Sequence, residues 1–265
     1  MINEKIIIIG GGVGPMAGVE LHKKIIENTQ TSGKDQDHFH LWHLSRSPDI
    51  PDRTEYLTGK ININPAEGMA RTFLLANKML TAEKRLAVGG VTCNTFHAPK
   101  IFNVFKDILK REAPDIKILN MIEETGSYIS ENFSGFKTIG LMSTSGTRQA
   151  GVYHEILNKI GFKLIEIDEH EQDELHDTIY NQVWGIKAVS PVSAKAKKRF
   201  ENYAETLIKK GAQALILGCT EIPLALPGKS FQAIPLIDPV YVLARALIKE
   251  ANENKLKGAT INLVE

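Results

Sequence analysis

Hydrophobic residues in this chain form short unbroken runs that alternate with longer stretches of helical repeat. The runs fall into two groups of four, at residues 5–11, 38–44, 86–92 and 116–122, and at residues 137–143, 162–168, 214–220 and 234–239. Between most of them, apolar residues recur every three or four positions, which is the spacing of an amphipathic helix. Strands that alternate with helices form parallel sheets covered on both faces, so the pattern predicts an α/β protein.

The two halves of this pattern match in order. Each opens with a strand and a loop of glycine and small polar residues, and in each the third strand is followed by a cysteine. We interpret this as a degenerate internal duplication. It predicts two similar lobes with mostly parallel sheets flanked by helices, related by a pseudo-twofold axis, with the active site in the cleft between them. The predicted lobes are residues 1–133 and 134–237, and a C-terminal helix at about 238–265 is expected to pack back on the first lobe.

Composition excludes several classes of protein. The chain has 265 residues, a formal net charge of +1 and average hydrophobic and charged fractions, so no nucleic-acid or anionic membrane partner is predicted. No apolar stretch approaches the roughly 20 residues of a membrane span, and the first residues do not resemble a signal peptide. Two cysteines are too few for a disulfide framework. We therefore expect a cytoplasmic protein.

The glycine-rich loop after the first strand is open to three interpretations. Gly12, Gly14 and Ala17 nearly fit a dinucleotide-binding fingerprint, but Pro15 removes a backbone N–H where a phosphate would bind. The second interpretation is a tight strand-to-helix turn with Pro15 at the first helical position. In the third, the glycines let backbone amides approach a carboxylate at a helix N-terminus.

The two cysteines, Cys93 and Cys219, follow equivalent strands of the two halves. A free cysteine is most often an inert buried residue. Both of these, however, lie at the carboxyl ends of predicted strands, where open α/β sheets bind ligands, and both have polar neighbours. Helix starts are predicted at Pro99 and Pro223, and a helix N-terminus lowers a thiol pKa, so we expect lowered pKa values for both thiols.

A twofold relation between the lobes would make the two thiols face each other. That arrangement suits a reaction in which a proton leaves one face of a carbon and another arrives at the opposite face. A metal site fits less well because the chain has no CxxC spacing, and a redox disulfide fits less well because facing thiols would be too far apart to bond. No cofactor and no metal are expected.

Five motifs taken together resemble the aspartate/glutamate racemase family of cofactor-independent two-cysteine racemases. In chain order they are GGGVGPMAG, SPDIPDRT, CNTFH, STSGT and GCTEIPL. The resemblance is to the aspartate racemase subgroup, because cell-wall glutamate racemases typically have an acidic residue at the position of Gly10 and a histidine at that of Glu221. It implies an isomerase that interconverts L- and D-aspartate, or glutamate, by two-thiol proton transfer in a homodimer.

Other activities remain open at this stage. The same scaffold supports maleate isomerisation, malonate decarboxylation and broad-specificity amino-acid racemisation. A periplasmic-type ligand-binding protein also has two α/β lobes, although the paired thiols argue against it.

The resemblance assigns roles to individual residues. It implies that Cys93 and Cys219 are catalytic and that Arg53 binds the side-chain carboxylate of the substrate. The other implied substrate-binding residues are Met16, Asn94, Thr95, Thr144, Gly146, Thr147, Lys187, Thr220 and Glu221. The assignment of Lys187 departs from the family pattern, because Val189 stands where the family often has glycine.

Three of the side chains in these motifs also have structural interpretations. Arg53 is either a substrate ligand on a mobile lid or a partner in a surface ion pair with Asp49 or Asp52. Glu221 and His97 either tune the thiols or serve the fold, Glu221 as a first-turn helix residue and His97 as a satisfied, partly buried histidine.

Overall fold

The chain forms two α/β units, each built on its own sheet. A computed structural model describes residues 4–258; residues 1–3 and 259–265, which are the ends of the predicted lobe 1–133 and of the predicted segment 238–265, lie outside it. The first unit comprises residues 4–124 and 240–258, and the second comprises residues 125–239.

The first unit is a four-stranded parallel sheet with the order β2-β1-β3-β4. Its elements are β1 (Ile6–Gly11), α1 (Pro15–Asn28), β2 (Leu41–Ser45), α2 (Arg53–Leu57), α3 (Pro65–Glu83), β3 (Ala87–Val91), α4 (Pro99–Glu112) and β4 (Ile116–Ile118). Helix α5 (Met121–Asn132) follows, and the division between the units falls within it.

The second unit has a five-stranded sheet with the order β6-β5-β7-β9-β8, parallel except for its last strand. Its elements are β5 (Thr138–Ser143), α6 (Ser145–Ala150), α7 (Val152–Lys159), β6 (Lys163–Glu166), α8 (Glu169–Tyr180), α9 (Ala194–Lys209), β7 (Ala214–Gly218), α10 (Ile222–Ala225), β8 (Ser230–Phe231) and β9 (Ile234–Ile237). Helix α11 (Pro239–Asn252) follows.

In both sheets the first three strands of the unit have the order second, first, third; the first sheet then continues with β4, and the second with β9 and β8. The predicted fold class, two mostly parallel sheets flanked by helices, is therefore confirmed. The sequence pattern did not predict β8, which has only two residues and pairs antiparallel with β9.

Burial on both faces explains the unbroken apolar strands. In β1, Ile6 and Ile8 belong to the core cluster that contains Phe73 of α3, whereas Ile7 belongs to the cluster that contains Leu247 of α11. Successive strand residues point to opposite faces, so a strand covered on both sides must be apolar throughout. At Gly89 in β3, a Cβ atom would lie 2.5 Å from the Phe73 ring, so this ring packs directly on the strand backbone.

Two predicted strands differ most from the observed ones. The run at 38–44 is a strand only from Leu41, where its ladder with β1 begins at the pair Ile7 and Leu41. The run at 116–122 ends as a strand at Ile118. There the Asn120 side chain accepts a hydrogen bond from the backbone N–H of Ile122 (3.0 Å) and so caps α5.

Candidate active site

The predicted site residues fall into two groups, one at the carboxyl edge of each sheet. The first half-site consists of Met16, Arg53, Cys93, Asn94 and Thr95, which follow β1, β2 and β3. The second half-site consists of Thr144, Gly146, Thr147, Lys187, Cys219, Thr220 and Glu221; all except Lys187 follow β5 or β7. Because neighbouring parallel strands end on one edge, each group converges within its own unit.

The glycine loop of the first half-site is a tight turn into α1. Gly12 has a φ of +88°, and a Cβ atom there would lie 2.7 Å from the backbone nitrogen of Ser47, so glycine is required. Pro15 begins α1, as the turn interpretation predicted. Met16 lies in the first turn of this helix, with 43% of its surface exposed.

Arg53 begins α2 and is buried. Its Nη2 donates to the carbonyl oxygen of Val13 (2.9 Å), so the guanidinium group connects the segment after β2 to the glycine loop after β1. Of the two carboxylates in the ion-pair alternative, that of Asp49 pairs with Arg46, and that of Asp52 caps α2 by accepting from the backbone N–H of Glu55 (2.9 Å).

Cys93 is buried, and its backbone is held by a histidine in the short 3₁₀ helix Thr95–His97. His97 Nδ1 lies 2.8 Å from the carbonyl oxygen of Cys93, and Nε2 lies 3.2 Å from the backbone nitrogen of Met121. These partners require a neutral ring that donates from Nδ1 and accepts at Nε2. Burial lowers the pKa of His97 to about 4, which keeps the ring neutral. The histidine therefore bonds to the backbone of Cys93, as its structural interpretation requires.

Two threonines hydrogen-bond to each other within the loop after β5. Thr144 caps α6, accepting a hydrogen bond from the backbone N–H of Thr147 (3.2 Å), and the two hydroxyl oxygens lie 3.1 Å apart. Gly146 and Thr147 are buried. The STSGT motif thus forms an ordered turn at the edge of the second sheet.

A row of side chains on α8 supports this loop, and the sequence analysis did not identify it. Gln172 donates to the backbone carbonyl of the last residue of β5 (3.0 Å), and His176 Nδ1 lies 3.3 Å from the backbone nitrogen of Ser145. Tyr180 stacks on His176, and Lys187 Nζ lies 5.6 Å from the centre of the tyrosine ring. The spacing of four residues, which places side chains on one helix face, was the available signal.

The second thiol belongs to a hydrogen-bonded chain of four side chains. Cys219 Sγ lies 3.2 Å from Glu221 Oε2, which also accepts from the Thr220 hydroxyl (2.9 Å). The other carboxylate oxygen of Glu221 accepts from Lys187 Nζ (2.5 Å). Cys219 and Glu221 are both at most 5% exposed, so this chain is largely shielded from water.

The expected lowering of the thiol pKa is wrong for Cys219. Burial raises the pKa of Cys219, and the negative charge of Glu221 raises it further, while Lys187 offsets only part of this. Helix α10 has just four residues, so it contributes too little dipole to reverse the effect. Burial also disfavours the charged forms of Glu221 and Lys187, but the attraction between the two charges is stronger. The pKa of Glu221 is therefore lowered and that of Lys187 is raised. They form an ion pair.

Within residues 4–258, no three His, Cys, Asp or Glu side chains are grouped so that they could hold a metal ion. Over the same range, the helices are all too short or too polar to cross a membrane.

These features define a class of protein: a two-unit α/β protein with a buried cysteine at the carboxyl edge of each parallel sheet. A family model for Asp/Glu/Hydantoin racemase matches residues 11–247. The solved structure of an aspartate racemase from Picrophilus torridus is 30% identical in sequence and has a TM-score of 0.76, with 96% of each chain covered. The chain therefore belongs to the Asp/Glu/hydantoin racemase family, whose aspartate and glutamate racemases are isomerases.

Two further relatives have lower similarity. A glutamate racemase from Carboxydothermus hydrogenoformans is 27% identical over 169 residues; this match spans 63% of the present chain but only 57% of the relative. The structure of glutamate racemase from Francisella tularensis in complex with D-glutamate is 20% identical and has a TM-score of 0.59, with 99% of this chain and 86% of that chain covered. The second likeness concerns the fold alone.

Proposed function

We propose that this protein is a racemase that interconverts L- and D-aspartate without pyridoxal phosphate, with Cys93 and Cys219 as the two proton-transferring groups. The observation that carries the proposal is the presence of a buried thiol after the third strand of each unit, in two sheets whose first three strands are arranged in the same order. The proposal requires both half-sites to act on one substrate molecule, with one thiol on each face of its α-carbon.

The chemistry explains why polar groups surround each thiol. An α-proton is a very weak acid, and without a cofactor ring the negative charge must move into the α-carboxylate. Hydrogen-bond donors aimed at those oxygens then provide most of the catalysis, and loss of one costs about 2.7–4 kcal/mol. The residues we assign to this role, or to substrate binding around it, are Met16, Asn94, Thr95, Thr144, Gly146, Thr147 and Thr220.

Arg53 supports aspartate as the substrate. A guanidinium group can hold a carboxylate through two parallel hydrogen bonds, and a second carboxylate distinguishes aspartate from alanine or serine. The bond to Val13 fixes one end of the guanidinium next to the glycine loop, which places a positive charge in the first half-site. One additional methylene changes binding by only about 1–3 kcal/mol, so glutamate is the natural competitor and belongs in the same assay.

The test is incubation with L-aspartate and D-aspartate separately in deuterium oxide, without added pyridoxal phosphate. We expect loss of the α-proton signal by NMR and conversion to a racemic mixture by chiral chromatography, starting from either enantiomer. Cys93→Ser and Cys219→Ser keep the side-chain shape, and each should abolish inversion while leaving the circular dichroism spectrum unchanged.

Parallel reactions with glutamate, maleate and a malonate distinguish the related activities. Retention of the α-proton by every amino acid tested, together with turnover of maleate or a malonate, would assign the protein to another reaction of the same scaffold. We further propose that the enzyme works in the cytoplasm as a homodimer. Size-exclusion chromatography with light scattering tests the second point.

A further inference from the structure

We propose that Glu221 is a positioning residue that accepts the proton of the Cys219 thiol, and that Lys187 is the counter-ion of Glu221 rather than a ligand of the substrate. This inference rests on the proposed function and deepens it, because it explains how the Cys219 thiol in the second half-site becomes a thiolate base. It also changes the role of Lys187 and Glu221, both of which were expected to bind substrate.

The carboxylate of Glu221 is fully engaged by side chains of its own unit. The carboxylate of Glu221 uses one oxygen for Lys187 (2.5 Å) and the other for Thr220 (2.9 Å) and Cys219 (3.2 Å). Both oxygens are thus engaged within the unit. A lysine whose ammonium group is bonded to this carboxylate has its charge already compensated, which leaves it less able to bind a substrate carboxylate.

The charges around Cys219 determine how its thiol can become a base. A buried thiol next to a carboxylate stays protonated, so Cys219 is not a ready thiolate in the resting protein. The groups that act electrostatically on this cluster are Glu221 and Lys187, together with Tyr180 of α8, which faces Lys187. The thiol, the carboxylate and the ammonium group together carry no net charge. A proton that moves from sulfur to Glu221 leaves this total unchanged, so the transfer creates a base without adding charge to a buried site.

The proton balance closes over a complete cycle. The S–H bond of Cys219 breaks as an O–H bond forms on Glu221, and the thiolate then takes the α-proton, leaving the electron pair in the substrate carboxylate. Cys93 donates its proton to the other face and becomes a thiolate. The additional proton on Glu221 returns to Cys93 through exchange with water. In the opposite direction the steps run in reverse. Cys93 first loses its proton to Glu221 through exchange with water, and its thiolate takes the α-proton. Cys219 then donates its proton to carbon and recovers the proton that Glu221 now holds.

The two thiols differ in this respect. The residue two places after Cys219 is Glu221, whereas the residue two places after Cys93 is Thr95, which cannot act as a carboxylate. Two equivalent strand ends thus carry two chemically different sites.

The decisive experiment combines a titration that does not depend on turnover with kinetics. Thiolate absorbance near 240 nm is followed against pH in Cys93→Ala, so that Cys219 supplies the signal, with and without Glu221→Gln. Removal of the carboxylate leaves the thiol next to Lys187, so its titration midpoint should fall by about one pH unit or more. In the protein with both cysteines, Glu221→Gln should nevertheless lower kcat by about 100-fold or more. The matched control is Glu169→Gln, an exposed change at the start of α8.

The titration and the kinetics of Glu221→Gln together distinguish a proton acceptor from a group that only suppresses the thiolate. If Glu221 only suppressed the thiolate, Glu221→Gln would raise the thiolate fraction and raise kcat, and the proposal would be overturned. An unchanged midpoint would show that the two groups are not coupled, and would overturn it equally. The titration can succeed in a protein that racemises nothing, so failure of the proposed function is seen separately.

The role of Lys187 is tested by whether its substitution changes KM or kcat. As the counter-ion, Lys187→Met should raise the Cys219 midpoint and lower kcat with little change in KM for aspartate, and Lys187→Arg should restore part of kcat. If Lys187 instead binds the substrate, Lys187→Met should change mainly KM and leave the titration midpoint of Cys219 unchanged. That second outcome would contradict the assignment.

Discussion

His97 makes the stability of this protein depend on pH in a defined direction. The ring is buried, and its pKa is about 4 in the folded chain compared with 6.5 for an unperturbed histidine. The unfolded chain therefore binds a proton more readily than the folded chain between these values. Stability from this group is fully present above pH 6.5 and is lost as the pH falls towards 4.

The magnitude follows from the size of the shift. Each pKa unit corresponds to about 1.4 kcal/mol, so the complete effect is about 3 kcal/mol below pH 4 and about 2 kcal/mol at pH 5. Nδ1 donates to the carbonyl of Cys93 and Nε2 accepts from the backbone N–H of Met121, so protonation at Nε2 would turn the second contact into a repulsive one. Such a loss is a large part of the stability of an ordinary domain.

The assay is urea unfolding of the wild type and of His97→Asn at several pH values from 8 to 5. Asparagine can still donate to the Cys93 carbonyl but does not titrate. The wild type should be the more stable at pH 8, and its advantage should shrink by about 2 kcal/mol at pH 5. His40→Asn, at an exposed histidine, is the matched control and should show no such trend. A stability difference between wild type and His97→Asn that stays constant across this range would refute the reasoning.

Two further predictions concern the first unit. A Cβ atom at Gly68 would lie 1.9 Å from the backbone oxygen of Asp49, so Gly68→Ala should lower stability by about 1–3 kcal/mol, although alanine favours helices. Gly135→Ala, where nothing lies within 4 Å, should leave the thermal midpoint nearly unchanged, and equal midpoints for both variants would contradict the packing argument. Arg53→Lys keeps the charge but not the planar fork, so KM for aspartate should rise by about tenfold or more. An equal rise for a monocarboxylic analogue would assign Arg53 a purely structural role.

The sequence predicted the parts of this fold that depend on local pattern. Runs such as residues 5–11 and 214–220 are apolar because both faces of a parallel strand are buried. The strands and the layered arrangement therefore follow from the order of apolar and polar residues along the chain. Pro15 fixes a helix start because its φ angle and missing N–H suit that position. The end of β4 was missed, although Asn120 is a recognisable cap for the helix that follows.

The electrostatics of the second half-site could not be predicted in the same way. Lys187 and Glu221 are 34 residues apart, and their pairing depends on how the segment between α8 and α9 returns to the end of β7. The helix start at Pro223 led us to expect a lowered thiol pKa at Cys219, whereas packing around β7 and α10 buries this side chain. The degree of burial determines the sign of the pKa shift, and tertiary packing determines the degree of burial.

The aromatic ring of Phe73 imposes a constraint on how this family member can vary. It packs against the backbone at Gly10 and Gly89, where an added Cβ atom would lie 2.6 and 2.5 Å from it, and these strands lead to the glycine loop and to Cys93. A larger residue at Gly89 requires a smaller one at position 73, and a larger residue at Gly10 also requires Met69 to move, because its sulfur lies 2.8 Å from the added atom. Among related sequences these positions should therefore change together, and a change at one of them alone should displace the strand ends that carry the glycine loop and Cys93.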